Sequence, residues 1–115
     1  MATVAFVAPV LPGGAEALRD LAAAVTGPRR AEHEAFHRRA GISRENWYLQ
    51  QTPQGEMTIV YLESGDLPGA FQTLANSDHP YDRWFKEQAK SVHGIDFNQP
   101  PPGPLPEAIY DSNPR

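Results

Sequence analysis

The chain has 115 residues and contains no cysteine. This absence excludes disulfides, thiolate metal sites, iron–sulfur clusters and cysteine nucleophiles. No apolar run approaches the roughly 20 residues that cross a bilayer, and the first residues lack the basic segment of a signal peptide. Basic residues are also few, since 10 Lys and Arg stand against 14 Asp and Glu, which argues against a nucleic-acid partner. The sequence therefore predicts a soluble cytoplasmic domain without a nucleic-acid or membrane partner.

The hydropathy pattern predicts one α+β domain over residues 1–97, followed by a proline-rich tail over 98–115. Strand-like runs at 3–10, 45–51 and 56–63 alternate with helical patterns at 15–25, 29–40, 67–76 and 81–92. The sequence Thr52-Pro53-Gln54-Gly55 predicts the turn of a β-hairpin. Residues 105–110 are compatible with one further edge strand. The resulting order, βαββαβ, predicts a ferredoxin-like antiparallel sheet with its helices on one face.

Both faces of the predicted strands carry apolar side chains, although helices can cover only one. The run at 56–63 places Met57, Ile59 and Tyr61 on one face and Val60 and Leu62 on the other. The second face therefore requires another cover. A second copy of the same sheet, packed in a two-fold homodimer, is the simplest cover. The alternative is a monomer in which the proline-rich tail partly covers this face.

Three segments of the chain, NWYLQQTPQGEMTIVYLE, DHPYDRWFKEQ and VHGIDF, resemble a small bacterial family within the dimeric α+β barrel superfamily. The resemblance extends over roughly residues 3–110. It implies a ferredoxin-like fold that dimerises, with a ligand pocket between the sheet and the helices of each monomer. The superfamily includes antibiotic-biosynthesis monooxygenases that need no cofactor, haem-degrading and haem-binding proteins, and muconolactone-isomerase-like enzymes. No catalytic motif transfers to individual residues of this chain.

The predicted hairpin carries side chains that suit a ligand pocket. Aromatic rings beside a carboxylate and an amide can orient a planar or polyketide-like molecule. Glu63 is a candidate proton-transfer group there, and the pocket candidates are Trp47, Tyr48, Gln50 and Tyr61. Ordinary packing of the aromatic rings is the alternative.

The last predicted helix provides a second group of candidates, His79, Asp82, Trp84 and His93. His79 lies at the start of the helix, where the helix dipole favours a neutral ring. A neutral histidine near Asp82 suits a catalytic base or, facing a pocket, a haem or metal ligand. Helix capping is the alternative interpretation of each histidine.

A motif scan would first report the string His33-Glu34-Ala35-Phe36-His37, an H-E-x-x-H within a predicted helix. In zincins the two histidines bind zinc and the glutamate activates the metal-bound water. Here the helix is short and charged, and no third ligand is recognised at the usual short distance downstream. We therefore expect no catalytic metal at His33 and His37, and we expect Glu34 to face solvent and pair with Arg38. Adventitious binding of zinc or nickel by the histidine pair is a separate expectation.

Two classes of function follow from the sequence. The first is an enzyme of the cofactor-independent oxygenase or isomerase type that acts on an aromatic or polyketide-like metabolite. Its pocket would be lined by Trp47, Tyr61 and Trp84, with Glu63 or His79 as the proton-transfer group. The second class is a non-catalytic homodimer that binds a small ligand or haem in the same pocket.

Overall fold

A computed structural model describes residues 2–101 and 103–112 of the chain. Its elements follow the order β1 (Ala2–Pro9), α1 (Gly14–Thr26), α2 (Arg30–Ala40), β2 (Ile42–Thr52), β3 (Gly55–Ser64), α3 (Leu67–Asn76) and α4 (Pro80–His93). The strands form one antiparallel sheet in the order β1-β3-β2. The protein is therefore an α+β protein, compatible with a ferredoxin-like fold. None of the helices in the described residues is long and apolar enough to cross a membrane.

The edge strand predicted at residues 105–110 is not formed. These residues have no strand structure, and their apolar side chains Ile109 and Tyr110 are exposed. Leu105, the other large apolar residue of this segment, is partly buried and packs against the buried cluster that contains Val4 and Leu62. Prolines before and after Leu105 cannot donate the backbone hydrogen bonds of a strand ladder. The described sheet therefore has three strands, and β1 lies at one of its edges.

The helix ends follow the glycines and prolines of the sequence. Gly41 ends α2 with a φ of 72°, a left-handed conformation that glycine adopts without steric cost. Because β2 begins at the next residue, the chain reverses sharply and α2 contacts β2. At the start of α4, His79 Nδ1 accepts a hydrogen bond from the backbone N–H of Tyr81 at 3.2 Å. The first of these ends brings α2 back over the start of β2.

The pairing register separates the strand residues into two faces. On the face covered by the helices, three rows of side chains cross the sheet: Ala8–Thr58–Leu49, Phe6–Val60–Trp47 and Val4–Leu62–Glu45. A register shift between Ile42 and Arg44 precedes Glu45. Since one extra residue reverses the faces of a strand, this bulge directs Glu45 toward the helices.

The opposite face of the sheet is free of helices and largely apolar. Its central row is Val7–Ile59–Tyr48. Val7 is 59% exposed and Tyr48 is 55% exposed, although both are large apolar side chains. The two apolar faces predicted from the sequence are therefore present, and in the single chain one of them is uncovered.

Candidate functional site

Glu45 is a buried carboxylate that accepts hydrogen bonds from three ring nitrogens. Its Oε1 lies 2.8 Å from His33 Nε2 and 2.7 Å from His37 Nε2, and its Oε2 accepts from Trp47 Nε1 at 2.8 Å. Because a carboxylate only accepts, each imidazole presents its Nε2–H to Glu45. Burial raises the pKa of Glu45, but the hydrogen bonds and electrostatic attraction of His33 and His37 outweigh it and lower the pKa from 4.5 to about 2.

Helix α2, strand β2 and the side chain of Tyr81 hold this cluster in place. His33 and His37 are one turn apart on α2 and therefore share a face. The turn at Gly41 and the bulge that follows bring Glu45 under that face. On the far side, the hydroxyl of Tyr81 on α4 lies 2.6 Å from His33 Nδ1. Burial and the nearby charge of Glu45 raise the pKa of Tyr81, so the hydroxyl stays protonated and available to donate.

The cluster forms the floor of a surface groove of about 510 Å³ between α1, α2 and β2. His37 is partly exposed in this groove, whereas His33 is 7% exposed. Glu34 and Arg30 also line the groove and form an ion pair at 2.9 Å. Glu34 is exposed, as the sequence predicts, but it pairs with Arg30 one turn earlier rather than with Arg38.

A second candidate site is an apolar cavity of about 70 Å³ between the sheet and the helices. Its walls are mostly aliphatic and aromatic, and the polar side chains among them are Glu45, Thr58 and His93. Thr58 is 1% exposed, and its hydroxyl oxygen has no hydrogen-bond partner among the described residues. Buried polar groups are normally satisfied, so this hydroxyl is an exception that calls for a physical explanation.

His93 lies at the same end of the cavity as Thr58. Its Nδ1 is 2.8 Å from the carbonyl oxygen of Pro9, the residue after Ala8, which pairs with Thr58. A carbonyl only accepts, so Nδ1 carries the proton and Nε2 has a free lone pair when the ring is neutral. Burial lowers the pKa of His93, and the hydrogen bond to Pro9 opposes this only in part.

An adjacent pocket of about 180 Å³ lies under the proline-rich tail. It shares the walls formed by Phe6, Phe71 and Phe97 with the apolar cavity, and Leu105 and Pro100 close its outer side. The ring centroids of Phe6 and Phe71 are 6.0 Å apart.

The structure separates the hairpin residues that the sequence grouped into one pocket. Trp47 pairs with Val60 and faces the helices, whereas Tyr61 pairs with Asn46 and faces the opposite side. Glu63 lies on the same side as Tyr61, accepts a hydrogen bond from its hydroxyl at 2.7 Å and is 4.0 Å from Arg44. A pocket lined by both Trp47 and Tyr61 is therefore not formed within this chain. Tyr48 and Gln50 are exposed on the side of Tyr61.

The candidates on α4 have packing roles, except His93. His79 caps the helix, as one of its two interpretations predicted. Asp82 is 0% exposed, bonds to Ser77 Oγ at 2.6 Å and forms an ion pair with Arg39. The Trp84 ring lies under the guanidinium of Arg29 at 4.1 Å. Of the residues singled out from the sequence, Trp47 and His93 line the apolar cavity.

Glu45 and Thr58 were not predicted from the sequence as site residues, and the burial of α2 was underestimated. The helix is not merely a solvated surface, since His33 is 7% and Phe36 is 2% exposed. A suitable third acidic partner exists eight residues after His37. The sequence did contain one signal for Glu45. Glu45 precedes Trp47 by two residues in the same strand, so both side chains point to the same face of the sheet.

No family model, curated protein or solved structure matches the chain.

Proposed function

We propose that the protein binds a small, mainly apolar molecule with one polar group in the apolar cavity, and acts on it as a cofactor-independent isomerase or oxygenase. The observation that carries this proposal is the unpartnered hydroxyl of Thr58 in the cavity wall. Leaving a buried hydroxyl unsatisfied costs about 1–3 kcal/mol. A ligand carbonyl or hydroxyl in the cavity supplies the missing hydrogen bond.

The cavity size limits the ligand. An engineered cavity of about 150 Å³ accepts benzene, whereas this cavity measures about 70 Å³. A ligand with one ring therefore requires a shift of Phe6 or Phe71 toward the adjacent pocket of about 180 Å³. With that shift the space suits a ligand of at most one ring, and it disfavours a fused polyketide.

His93 is the proton-transfer group of the proposed reaction, in place of Glu63 and His79. In an isomerisation, its neutral Nε2 takes a proton from the carbon beside a ligand carbonyl and returns it to a second carbon. The Thr58 hydroxyl donates to the carbonyl oxygen, where negative charge develops. In the oxygenase version, dioxygen is the second substrate and the oxidant: the deprotonated carbon forms a C–O bond with it, the resulting peroxide takes the proton back from His93, and loss of water leaves a carbonyl on the ligand.

The alternative function, a non-catalytic binding protein, uses the same cavity without proton transfer. Haem is the ligand that the superfamily resemblance suggests for it. A porphyrin macrocycle is far larger than a cavity of about 70 Å³. The residues present therefore do not fit haem in this cavity.

We also propose a homodimer that forms the dimeric α+β barrel through the helix-free face. The row Val7–Ile59–Tyr48 crosses all three strands at the centre of this face. Contiguous exposed apolar surface of this kind favours association, and a two-fold axis lets identical rows face each other. Arg44 and Glu63, an ion pair at 4.0 Å, provide a polar rim at one end of the face.

Ligand binding is tested by nuclear magnetic resonance titration with phenol and benzene as probes. We expect phenol to shift amide signals of residues 58–60 and 92–93. We expect Thr58→Val to weaken phenol binding about fivefold, which corresponds to one neutral hydrogen bond of about 1 kcal/mol. Benzene binding should be equal in both proteins. Shifts confined to other surfaces, or equal phenol affinity in the variant, would contradict the proposed site.

Catalysis is tested separately from binding. Oxygen uptake with quinol substrates and deuterium exchange into one-ring ketones are measured without added cofactor. We expect turnover in the natural protein and none in His93→Gln, with phenol binding retained. Binding without turnover in every assay would favour the non-catalytic alternative.

Dimerisation is tested by light scattering at tens of micromolar. We expect the mass of two chains for the natural protein and of one chain for Val7→Lys. Ala17→Lys, at an exposed position on α1, is the matched control and should stay dimeric. A monomeric natural protein refutes the dimer without affecting the ligand proposal.

A further inference from the structure

We propose that His33, His37 and Glu45 form a binding site for one divalent transition-metal ion, with zinc as the representative ion. The site lies on the floor of the surface groove and does not depend on a ligand in the apolar cavity. It departs from our sequence-based expectation for the H-E-x-x-H string, because the fold places Glu45 beside the two histidines as a third potential ligand.

The distances suit such a site. One ligand atom from each of the three residues lies within 4.8 Å of the other two. Around a tetrahedral zinc with bonds of about 2.0–2.1 Å, neighbouring ligand atoms are about 3.3 Å apart. The imidazole nitrogens now lie 2.7 and 2.8 Å from Glu45 Oε1. Binding therefore requires that these atoms separate by a few tenths of an ångström, within reach of side-chain rotation.

The residues around the three ligands accommodate His33 with its proton on either ring nitrogen. In the metal-free state His33 donates from Nε2, and its Nδ1 accepts from the Tyr81 hydroxyl at 2.6 Å. When Nε2 binds a metal, the proton moves to Nδ1, and the same hydroxyl oxygen accepts it. Such an outer partner fixes the tautomer of a metal-binding histidine. Trp47 Nε1 holds Oε2 of Glu45, which leaves Oε1 directed at the two imidazoles.

The donor set and its surroundings point to the class of ion. Two imidazoles and one carboxylate suit zinc and other first-row divalent ions, and do not favour calcium or magnesium. The carboxylate offsets part of the charge of the ion. Arg30, the nearby cation in the groove, is paired with Glu34 at 2.9 Å. The groove of about 510 Å³ leaves room for water at the fourth position.

The site is tested on the full chain, purified without a histidine tag and dialysed against a weak chelator. Zinc binding is measured by calorimetry and by competition with a chromogenic zinc indicator. We expect one zinc per chain, and a cobalt(II) derivative with the absorption of a four-coordinate ion. Loss of an outer partner costs about 10–100-fold in affinity, so loss of a ligand in His37→Gln or Glu45→Gln should cost at least about 100-fold. Trp47→Phe should cost about tenfold.

Glu32→Gln is the matched control, since it removes an exposed carboxylate from the same helix but removes no proposed ligand and no residue that lines the groove. We expect this variant and Thr58→Val to bind zinc with the same affinity as the natural protein. His37→Gln keeps the test valid if Glu45→Gln fails to fold, because His37 is the most exposed of the three ligands. Zinc affinity that is unchanged in Glu45→Gln would show adventitious binding by the histidine pair. No binding at all would show a hydrogen-bond network only, and either result overturns the proposal.

Discussion

The two faces of the β2–β3 hairpin each carry one largely buried carboxylate, and the two differ in what surrounds them. Glu45 is 10% and Glu63 is 19% exposed at the side chain. Glu45 meets rings from α2 and from its own strand, whereas Glu63 meets Tyr61 and Arg44 within the sheet. Burial alone therefore does not distinguish the two carboxylates. What distinguishes Glu45 is that its donors converge from separate elements, which only the fold brings together.

The largest expected difference between these faces is the cost of removing each carboxylate. In the presence of chelator, Glu45→Ala leaves the N–H groups of His33, His37 and Trp47 without their acceptor and should lower the free energy of unfolding by about 3 kcal/mol. Glu63→Ala removes the rim ion pair with Arg44 and the hydrogen bond from the Tyr61 hydroxyl, and should cost about 1 kcal/mol. Urea unfolding of both variants measures this. Equal losses would remove the distinction between the two faces.

A second pair of substitutions compares neighbouring residues of β3 that point to opposite faces. Val60 is 9% exposed in the core, so Val60→Ala should lower the free energy of unfolding by about 2 kcal/mol through lost burial and a residual cavity. Ile59→Ala should weaken dimerisation instead. Unfolding experiments at two protein concentrations separate these effects, since only a dimer has concentration-dependent stability. An Ile59→Ala loss that is independent of concentration would count against the dimer.

Much of the fold follows from local sequence, and the site does not. The strands and helices were predicted because glycine and proline mark their ends, as Gly41 does for α2. The prediction of a fourth strand was wrong. The apolar residues at 105–110 suggested a buried strand, but the prolines of this segment cannot donate the backbone hydrogen bonds of one. Glu45 was missed because its partners depend on the sharp turn after α2 and on a bulge. Neither feature leaves a periodic pattern in the sequence.

A smaller effect of opposite sign is expected at Thr58. Thr58→Val replaces an unpartnered buried hydroxyl with a methyl group of similar size, and should raise the free energy of unfolding by about 1 kcal/mol. Thr52→Val is the control, because the Thr52 hydroxyl donates to the Gly55 carbonyl at 2.7 Å and its loss should destabilise. Thermal unfolding of both variants shows whether each substitution raises or lowers the stability. A destabilised Thr58→Val would mean that the hydroxyl has a partner after all, such as a bound water.

The smallest expected effect is the contribution of His93 to the pH dependence of stability. Burial lowers the pKa of His93 in the folded protein below its ordinary value of 6.5. Just below pH 6.5 the unfolded chain therefore binds more protons at this residue than the folded chain does. The free energy of unfolding then rises with pH in this window, and it falls as the pH drops from 7.5 to 5.5.

His93→Gln should remove the contribution of His93 to the pH dependence of the free energy of unfolding and leave the contributions of the other groups. Among the described cavity walls the other titratable group is Glu45, whose pKa of about 2 places its own transition at lower pH. Urea unfolding of both proteins at pH 7.5 and 5.5 gives the two slopes. If they are equal, His93 titrates alike in the folded and unfolded chains. The ring would then be mostly protonated at pH 5.5 and neutral only in the upper part of this range, and burial in the cavity would no longer support its role as the proton-transfer group.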